Sequence, residues 1–161
     1  MRPLNKRKPR GPRPGSIARA PGIDYGDLDR HFGYALRRAQ LAGFEAFQRA
    51  TAGMDITPPR YTALTIIAAN PGLSQSALGS ALGTARSGAM IVTDWMEARG
   101  LAERRNRSDD GRAWGLHLTP RGQAYLAKLK RRVLDSDAAF ASRLQPEEQV
   151  LLLGLLDKLA I

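Results

Sequence analysis

Between Thr84 and Gly122 the spacing of apolar positions changes period twice. Ala89, Val92 and Met96 recur at the i, i+3, i+7 interval of a helix that buries one stripe, and Gly100 stops that helix. Leu101 to Arg105 then reads as a short strand. A return strand follows at period two, with Trp114, Leu116 and Leu118 on one face and Gly115 and His117 on the other. Asp110-Gly111, between the two strands, is a hairpin-turn dipeptide. Thr119-Pro120 supplies an N-cap and a first-turn proline for the next helix.

Upstream, Leu28, Phe32, Leu36, Ala39, Gly43 and Phe47 predict a long helix from Asp24 to about Ala52. Thr57-Pro58-Pro59 opens a second one, striped by Tyr61, Leu64, Ile67 and Ala68 and ended by Asn70-Pro71-Gly72. Ser74 reads as the N-cap of a short helix, with Leu73 and Leu78 at the positions of a hydrophobic staple. Ala77, Leu78, Ala81 and Leu82 give that helix its apolar side, and Gly83 turns the chain into the Thr84 segment. Two helices joined through a glycine turn form a helix-turn-helix, and the basic hairpin after them makes it the winged variant.

Beyond the hairpin, Leu126, Leu129, Val133, Phe140 and Leu144 mark another long helix, interrupted by the polar Asp137. Gln145-Pro146 breaks it and starts EEQVLLLGLLDKLAI, which is apolar nearly all round. A terminal helix of that kind must be buried by something. A second copy related by two-fold symmetry is the economical partner, and the chain's own core is the other solution. The expected fold is therefore mainly α with a small β-hairpin wing: a winged helix-turn-helix carrying N- and C-terminal dimerisation helices. Residues 1–23 form a basic arm, and residues 24–161 form one domain. Within it, 57–122 make the winged helix-turn-helix, and 24–52 with 123–161 make the dimerisation helices.

Composition narrows the chemistry. The 161-residue chain has no cysteine and two histidines, His31 and His117, so neither a disulfide nor a metal centre is expected. No apolar run reaches membrane-spanning length, and the basic N-terminus lacks the apolar core of a signal peptide. The expectation is a soluble, cytoplasmic protein with no membrane partner. The net charge of +10 is misleading as a total, because seven basic residues from Arg2 to Arg19 precede the first acid, Asp24, and leave about +3 for the rest. More telling is that Arg99, Arg104, Arg105, Arg107, Arg112 and Arg121 crowd the hairpin and its flanks. The Pro-, Gly- and Arg-rich stretch 1–23 has too little apolar surface to order itself, and it reads either as an arm that follows DNA or as a solvated leader.

Enzymatic features are missing from the sequence. It holds no nucleophile–base constellation, phosphate-binding glycine loop or carboxylate pair in an apolar setting, so neither catalysis nor a cofactor is expected. Glu147-Glu148 is better explained as favourable negative charge in the first turn of the last helix.

The segment GLAERRNRSDDGRAWGLHLTPRG resembles the wing region of MarR-type regulators, with Asp110-Gly111-Arg112 followed by Leu116-His117-Leu118-Thr119 and Gly122. The order of elements from Asp24 to Ile161 matches as well. This resemblance implies a homodimeric transcriptional repressor that places its helix-turn-helix in the major groove of pseudo-palindromic double-stranded DNA and its wing in the minor groove. Gln75, Arg86, Ser87, Arg105, Arg107, Asp110 and Arg112 are the DNA-binding candidates. Arg86 is the leading base reader, at the start of the recognition helix. Arg112 would enter the minor groove with Asp110 orienting it, and Arg105 and Arg107 would meet flanking phosphates.

The stretches FGYALRRAQLAGFEAF, LSQSAL and RSGAM further resemble the branch that represses hydroxycinnamate and related aromatic catabolism. That implies release from DNA by a small aromatic effector or an aromatic acyl-CoA thioester, with Arg37, Arg38, Phe44 and Tyr61 as its contacts and the two arginines suited to the CoA phosphates. A non-specific architectural DNA-binding protein is the alternative.

Two features depart from the family pattern. Ala85 stands where a polar N-cap is usual, which Thr84 could replace one residue earlier. Ile91 and Trp95 are apolar where polar groups commonly face the groove. Either thymine methyls are contacted, or Trp95 packs beneath the hairpin near Trp114; packing is the preferred reading for a tryptophan at helical spacing.

Overall fold

A computed structural model describes residues 19–106 and 114–160. It contains six α-helices and one hairpin among the described residues: α1 (Phe32–Ala50), α2 (Pro58–Ala69), α3 (Gln75–Ala81), α4 (Arg86–Ala98), β1 (Ala102–Asn106), β2 (Trp114–Leu118), α5 (Pro120–Ala141) and α6 (Pro146–Leu159). The chain divides into two units after Ala46.

In the first unit the expected helix from Asp24 does not start there. Asp24 Oδ1 accepts from the Gly26 amide at 2.9 Å, and Gly26 takes φ +53°, a left-handed value that interrupts an α-helix begun at Asp24. A single 3-10 turn, Gly26–Arg30, follows, and His31 is extended before α1 begins. Of the stretch read as an arm, residues 1–18 lie outside the described residues. Arg19 is held by Asp29 and lies over the Tyr25 ring at 5.3 Å, while the Ala20 amide donates to the Tyr25 hydroxyl at 3.1 Å.

The second unit is built around a continuous core. Leu64 and Ile67 of α2, Leu78 of α3, Met96 of α4, Leu116 of β2 and Leu129 of α5 are its largest fully buried aliphatic side chains. The α2 stripe is rotated from the expected one: Ala63 is buried and Ala68 exposed. Ala81 of α3 is likewise exposed. Pro58 and Pro59 occupy the first turn of α2, but the Thr57 hydroxyl caps nothing. Ser74 does cap α3, its Oγ accepting from the Ala77 amide at 3.2 Å.

β1 and β2 pair antiparallel, from Ala102↔Leu118 at the base to Asn106↔Trp114 at the outer end. Leu73 adds a single bridge to Leu116, with Leu116 N–H to Leu73 O at 2.8 Å and Gly72 N–H to Leu116 O at 2.9 Å. The hairpin is thereby sewn to the start of α3. Glycine is required at 115, because a Cβ there would stand 2.7 Å from the Gly72 carbonyl oxygen. Trp114 does not share the burial of Leu116 and Leu118; it is 53% exposed, since it sits at the outer end of the ribbon, past the core.

At the base of the hairpin, Thr119 Oγ1 donates to the Gly100 carbonyl at 2.6 Å and accepts from the Gly122 amide at 3.0 Å. A Cβ on Gly122 would collide with the Leu101 carbonyl oxygen. The Gly-Leu…Leu-Thr-x-x-Gly signature is thus one physical joint: it fixes the end of α4, both strands and the start of α5 at a single point.

α6 buries none of its residues. Val150, Leu151, Leu153 and Leu159 are between 62% and 73% exposed, so the helix does not tuck into the chain's own core. Its first turn is closed by Glu148, whose Oε2 accepts from the Gln145 amide at 2.8 Å.

Candidate nucleic-acid interface

α3 and α4 cross closely because Gly79 lets them: a Cβ on it would lie 3.4 Å from that of Ala89. Gly83, at φ +61°, makes the turn between the helices, and the Thr84 amide donates back to Gly79 O at 3.1 Å. Ala85 is the N-cap of α4 and has no side chain to cap with; Thr84 does not take over that task. Instead the Thr84 hydroxyl and methyl lie against Gly88, where a Cβ would collide with Thr84 Oγ1, so Gly88 serves close packing. Thr93, fully buried on the opposite side of α4, satisfies its hydroxyl on the Ala89 carbonyl at 2.8 Å.

With Ala89, Thr93, Trp95 and Met96 buried, α4 leaves Arg86, Ser87, Met90, Ile91 and Asp94 exposed. Arg86 and Ser87 lie in its first turn, and Gln75 opens α3 half-buried. Arg104 reaches from β1 to two acids of α4, Asp94 at 3.4 Å and Glu97 at 3.2 Å. These contacts offset negative charge that would repel phosphates. Arg105 is bound to its neighbour Glu103, with Nε to Oε1 at 2.8 Å, so its charge is partly committed. Arg107, Asp110 and Arg112 lie outside the described residues.

Trp95 is buried as expected, but not through Trp114. Two guanidiniums lie over its indole, Arg60 at 4.4 Å and Arg99 at 4.8 Å from the ring centre. Its Nε1 donates to Asp55 Oδ2 at 3.2 Å. That bond, with the charges of Arg99 and Arg60, holds the Asp55 carboxyl below its usual range against an opposing effect of desolvation. Burial pushes the Tyr125 hydroxyl up, and the Asp55 charge adds to it. No local pattern in the sequence marks Asp55 or Arg60; they meet Trp95 only through the fold.

The residues expected to meet an effector fall in both units. Arg37 and Phe44 are exposed in the first, where Arg38 lies over the Tyr34 ring at 6.0 Å with its Nε buried and unbonded among the described residues. Tyr61 belongs to the second unit and packs against Phe47 with ring centres 5.9 Å apart. Sequence reasoning missed a cavity of about 470 Å³ in the second unit, walled by Ile67, Pro71 and Leu126 and edged by Arg105, His117 and Lys130. Among the described residues no cluster of three or more His, Cys, Asp or Glu could hold a metal ion, and no helix is long and apolar enough to cross a membrane.

A glycine-turned helix pair with an exposed second helix, braced by a paired hairpin, defines a winged helix-turn-helix DNA-binding protein. The MarR family model matches residues 54–113. A Thauera aromatica protein described as a "Putative transcriptional regulatory protein for hcr operon" is 40% identical over 84% of this chain and 82% of its own length. Among solved structures, the transcriptional repressor CouR bound to a 23-mer DNA duplex superposes with a TM-score of 0.80 at 34% identity, over 86% of this chain and 99% of CouR. CouR bound to p-coumaroyl-CoA gives a TM-score of 0.79 at 33% identity, over 86% and 97% of the two chains. The chain belongs to the MarR family, whose members are transcriptional regulators and not enzymes.

Proposed function

We propose that this protein is a homodimeric, sequence-specific repressor that grips a pseudo-palindromic operator and is released by an aromatic acyl-CoA thioester. The observation that carries the reading is the exposed α4 face, headed by Arg86 and Ser87, on a chain that resembles CouR in both its DNA-bound and its p-coumaroyl-CoA-bound structures. Residues 57–122 read the DNA, with Gln75, Arg86 and Ser87 in the major groove and Arg112 at the minor groove; Asp110 orients Arg112, and Arg105 and Arg107 meet phosphates. Residues 24–52 and 123–161 join two copies, which would cover the leucines α6 leaves in water.

For the effector, Arg37 and Arg38 offer guanidiniums to phosphates, and Phe44 and Tyr61 offer rings to an aromatic acyl group. The cavity edged by His117 and Lys130 adds support, because its apolar walls beside a lysine suit an anion with an apolar body. Release follows if the thioester prefers a dimer geometry whose recognition helices no longer match the half-site spacing. A coupling of about 1–3 kcal/mol, or 5–150-fold in affinity, is the usual scale for such an effect.

The test selects bound fragments from genomic DNA, then titrates the recovered duplex with p-coumaroyl-CoA, p-coumarate and coenzyme A separately. Sequence-selective binding weakened by the thioester alone is the expected result. Binding that depends steeply on salt yet ignores sequence would instead establish the architectural alternative. Selective binding that none of the three ligands alters would remove the effector assignment and leave the regulator.

A further inference from the structure

We propose that Met90 and Ile91 recognise thymine, by packing against its methyl group in the major groove. The inference rests on the reading of α4 as the helix that enters that groove, and adds what its second turn reads.

On the exposed face of α4 the first turn carries Arg86 and Ser87, and both can form hydrogen bonds. One turn on, the face changes character: Met90 is 49% exposed and Ile91 66%. Neither is needed by the core, whose α4 contribution comes from Ala89, Thr93, Trp95 and Met96. The next exposed residue, Asp94, faces Arg104 of the hairpin. The middle of the reading face therefore offers a neighbouring base pair no donor and no charge. Base edges in the major groove present hydrogen-bonding groups and one apolar group, the C5 methyl of thymine. An apolar pair continuous with Arg86 and Ser87 matches that group and no other.

Placement follows from helix geometry. Ile91 lies four residues beyond Ser87, roughly 6 Å along the helix axis, so its thymine falls within about two base pairs of those contacted by the first turn. Burying one methyl contributes roughly fourfold in affinity, and the two half-sites of an operator together contribute roughly 16-fold.

The experiment uses the full chain and the duplex recovered by genomic selection, synthesised with deoxyuridine in place of thymidine one position per half-site at a time. Uracil differs from thymine only by the missing methyl. Affinities are measured by fluorescence anisotropy at one fixed salt concentration. The expected result is a roughly 16-fold loss at one symmetric pair of positions. Ile91→Ala, a change at an exposed site, should bind the thymine and uracil duplexes alike at that pair, and Ile91→Val should keep the difference. A uracil scan that is flat at every thymine overturns the proposal and leaves the regulator standing. A thymine–uracil difference that survives in both Ile91→Ala and Met90→Ala also overturns it. Failure to recover any preferred sequence overturns the regulator reading and this proposal together.

Discussion

The indole nitrogen of Trp95 donates to Asp55 across forty residues of sequence, at 3.2 Å, and ties the loop before α2 to the last turn of α4. Arg60 and Arg99 lie against the same ring and both pair with Asp55, so one indole and one carboxylate hold α2, α4 and the loop together. Removing the indole with Trp95→Ala should destabilise the fold by about 3–5 kcal/mol, the usual loss for a large buried aromatic, as read by urea denaturation.

The same cluster makes a pH prediction. The Asp55 carboxyl has its folded pKa lowered from 3.8, first by the Trp95 hydrogen bond and then by the neighbouring guanidiniums, with desolvation opposing them. A lowered folded pKa means that the ionised group stabilises the folded state. This contribution is fully present above the unfolded value near 3.8 and is lost as pH falls through the lower folded value. Melting curves of the wild type and Asp55→Asn should therefore differ most at neutral pH and converge in acid. Curves that remain parallel down to pH 2 would show that Asp55 carries no such linkage.

Gly122→Ala tests the joint at the base of the hairpin. The added Cβ would meet backbone, the Leu101 carbonyl, which cannot swing aside as a side chain tip would. A destabilisation of about 1–3 kcal/mol or more is expected from overpacking. Gly33→Ala, where a Cβ meets nothing within 4 Å, should leave the melting temperature unchanged or slightly higher. Equal effects of the two substitutions would mean that backbone crowding is not what fixes residue 122.

These contrasts show which parts of the structure were legible in the sequence. Ser74, Thr119-Pro120, Gly83 and Gly100 act within a few residues of where they stand, so caps and turns could be read locally. The Gly26 turn that delays α1 was masked by a helical apolar spacing that ran straight through it. Trp95 could be assigned to the core by type, yet Asp55, Arg60 and Arg99 could not be named as its partners, because that cluster exists only after α2 and α4 pack. Trp114 fitted the alternation of β2 but lies beyond the core's edge, a boundary that period two does not encode. On α4 the family pattern put both Ile91 and Trp95 at groove-facing positions, but only Ile91 is exposed there, while Trp95 turns into the core.

α6 sets the expectation for assembly. Seven of its aliphatic residues, from Val150 to Leu159, are 36% to 73% exposed. The chain should sediment as a dimer, at twice its 17.6 kDa mass. Leu151→Glu combined with Leu155→Glu places charge one turn apart on this helix and should yield monomers at micromolar concentration. Each leucine withdrawn from the interface costs about 1.5–3 kcal/mol of burial. A wild type that sediments as a monomer would refute the assignment.

Arg86 and Arg112 should fail in different ways when removed, and the difference tells which of them reads sequence. A bidentate contact from Arg86 to guanine contributes about 1–3 kcal/mol at one base pair, so Arg86→Ala should flatten preference there and change the salt dependence little. A phosphate-binding arginine gives the reverse: affinity falls alike on all sequences, and the slope of log K against log salt drops by about one unit for each phosphate no longer neutralised. Arg105→Ala should follow that second pattern only weakly, because its guanidinium is already held by Glu103. For Arg112→Ala the expected outcome is a loss confined to the base pairs beneath the wing, greatest where an A·T-rich step narrows the minor groove. Binding measured on paired duplexes at three salt concentrations separates these cases. Were Arg86→Ala to lower the slope and leave every base preference intact, Arg86 would be a phosphate ligand, and sequence reading would pass to Ser87 and the residues one turn beyond it.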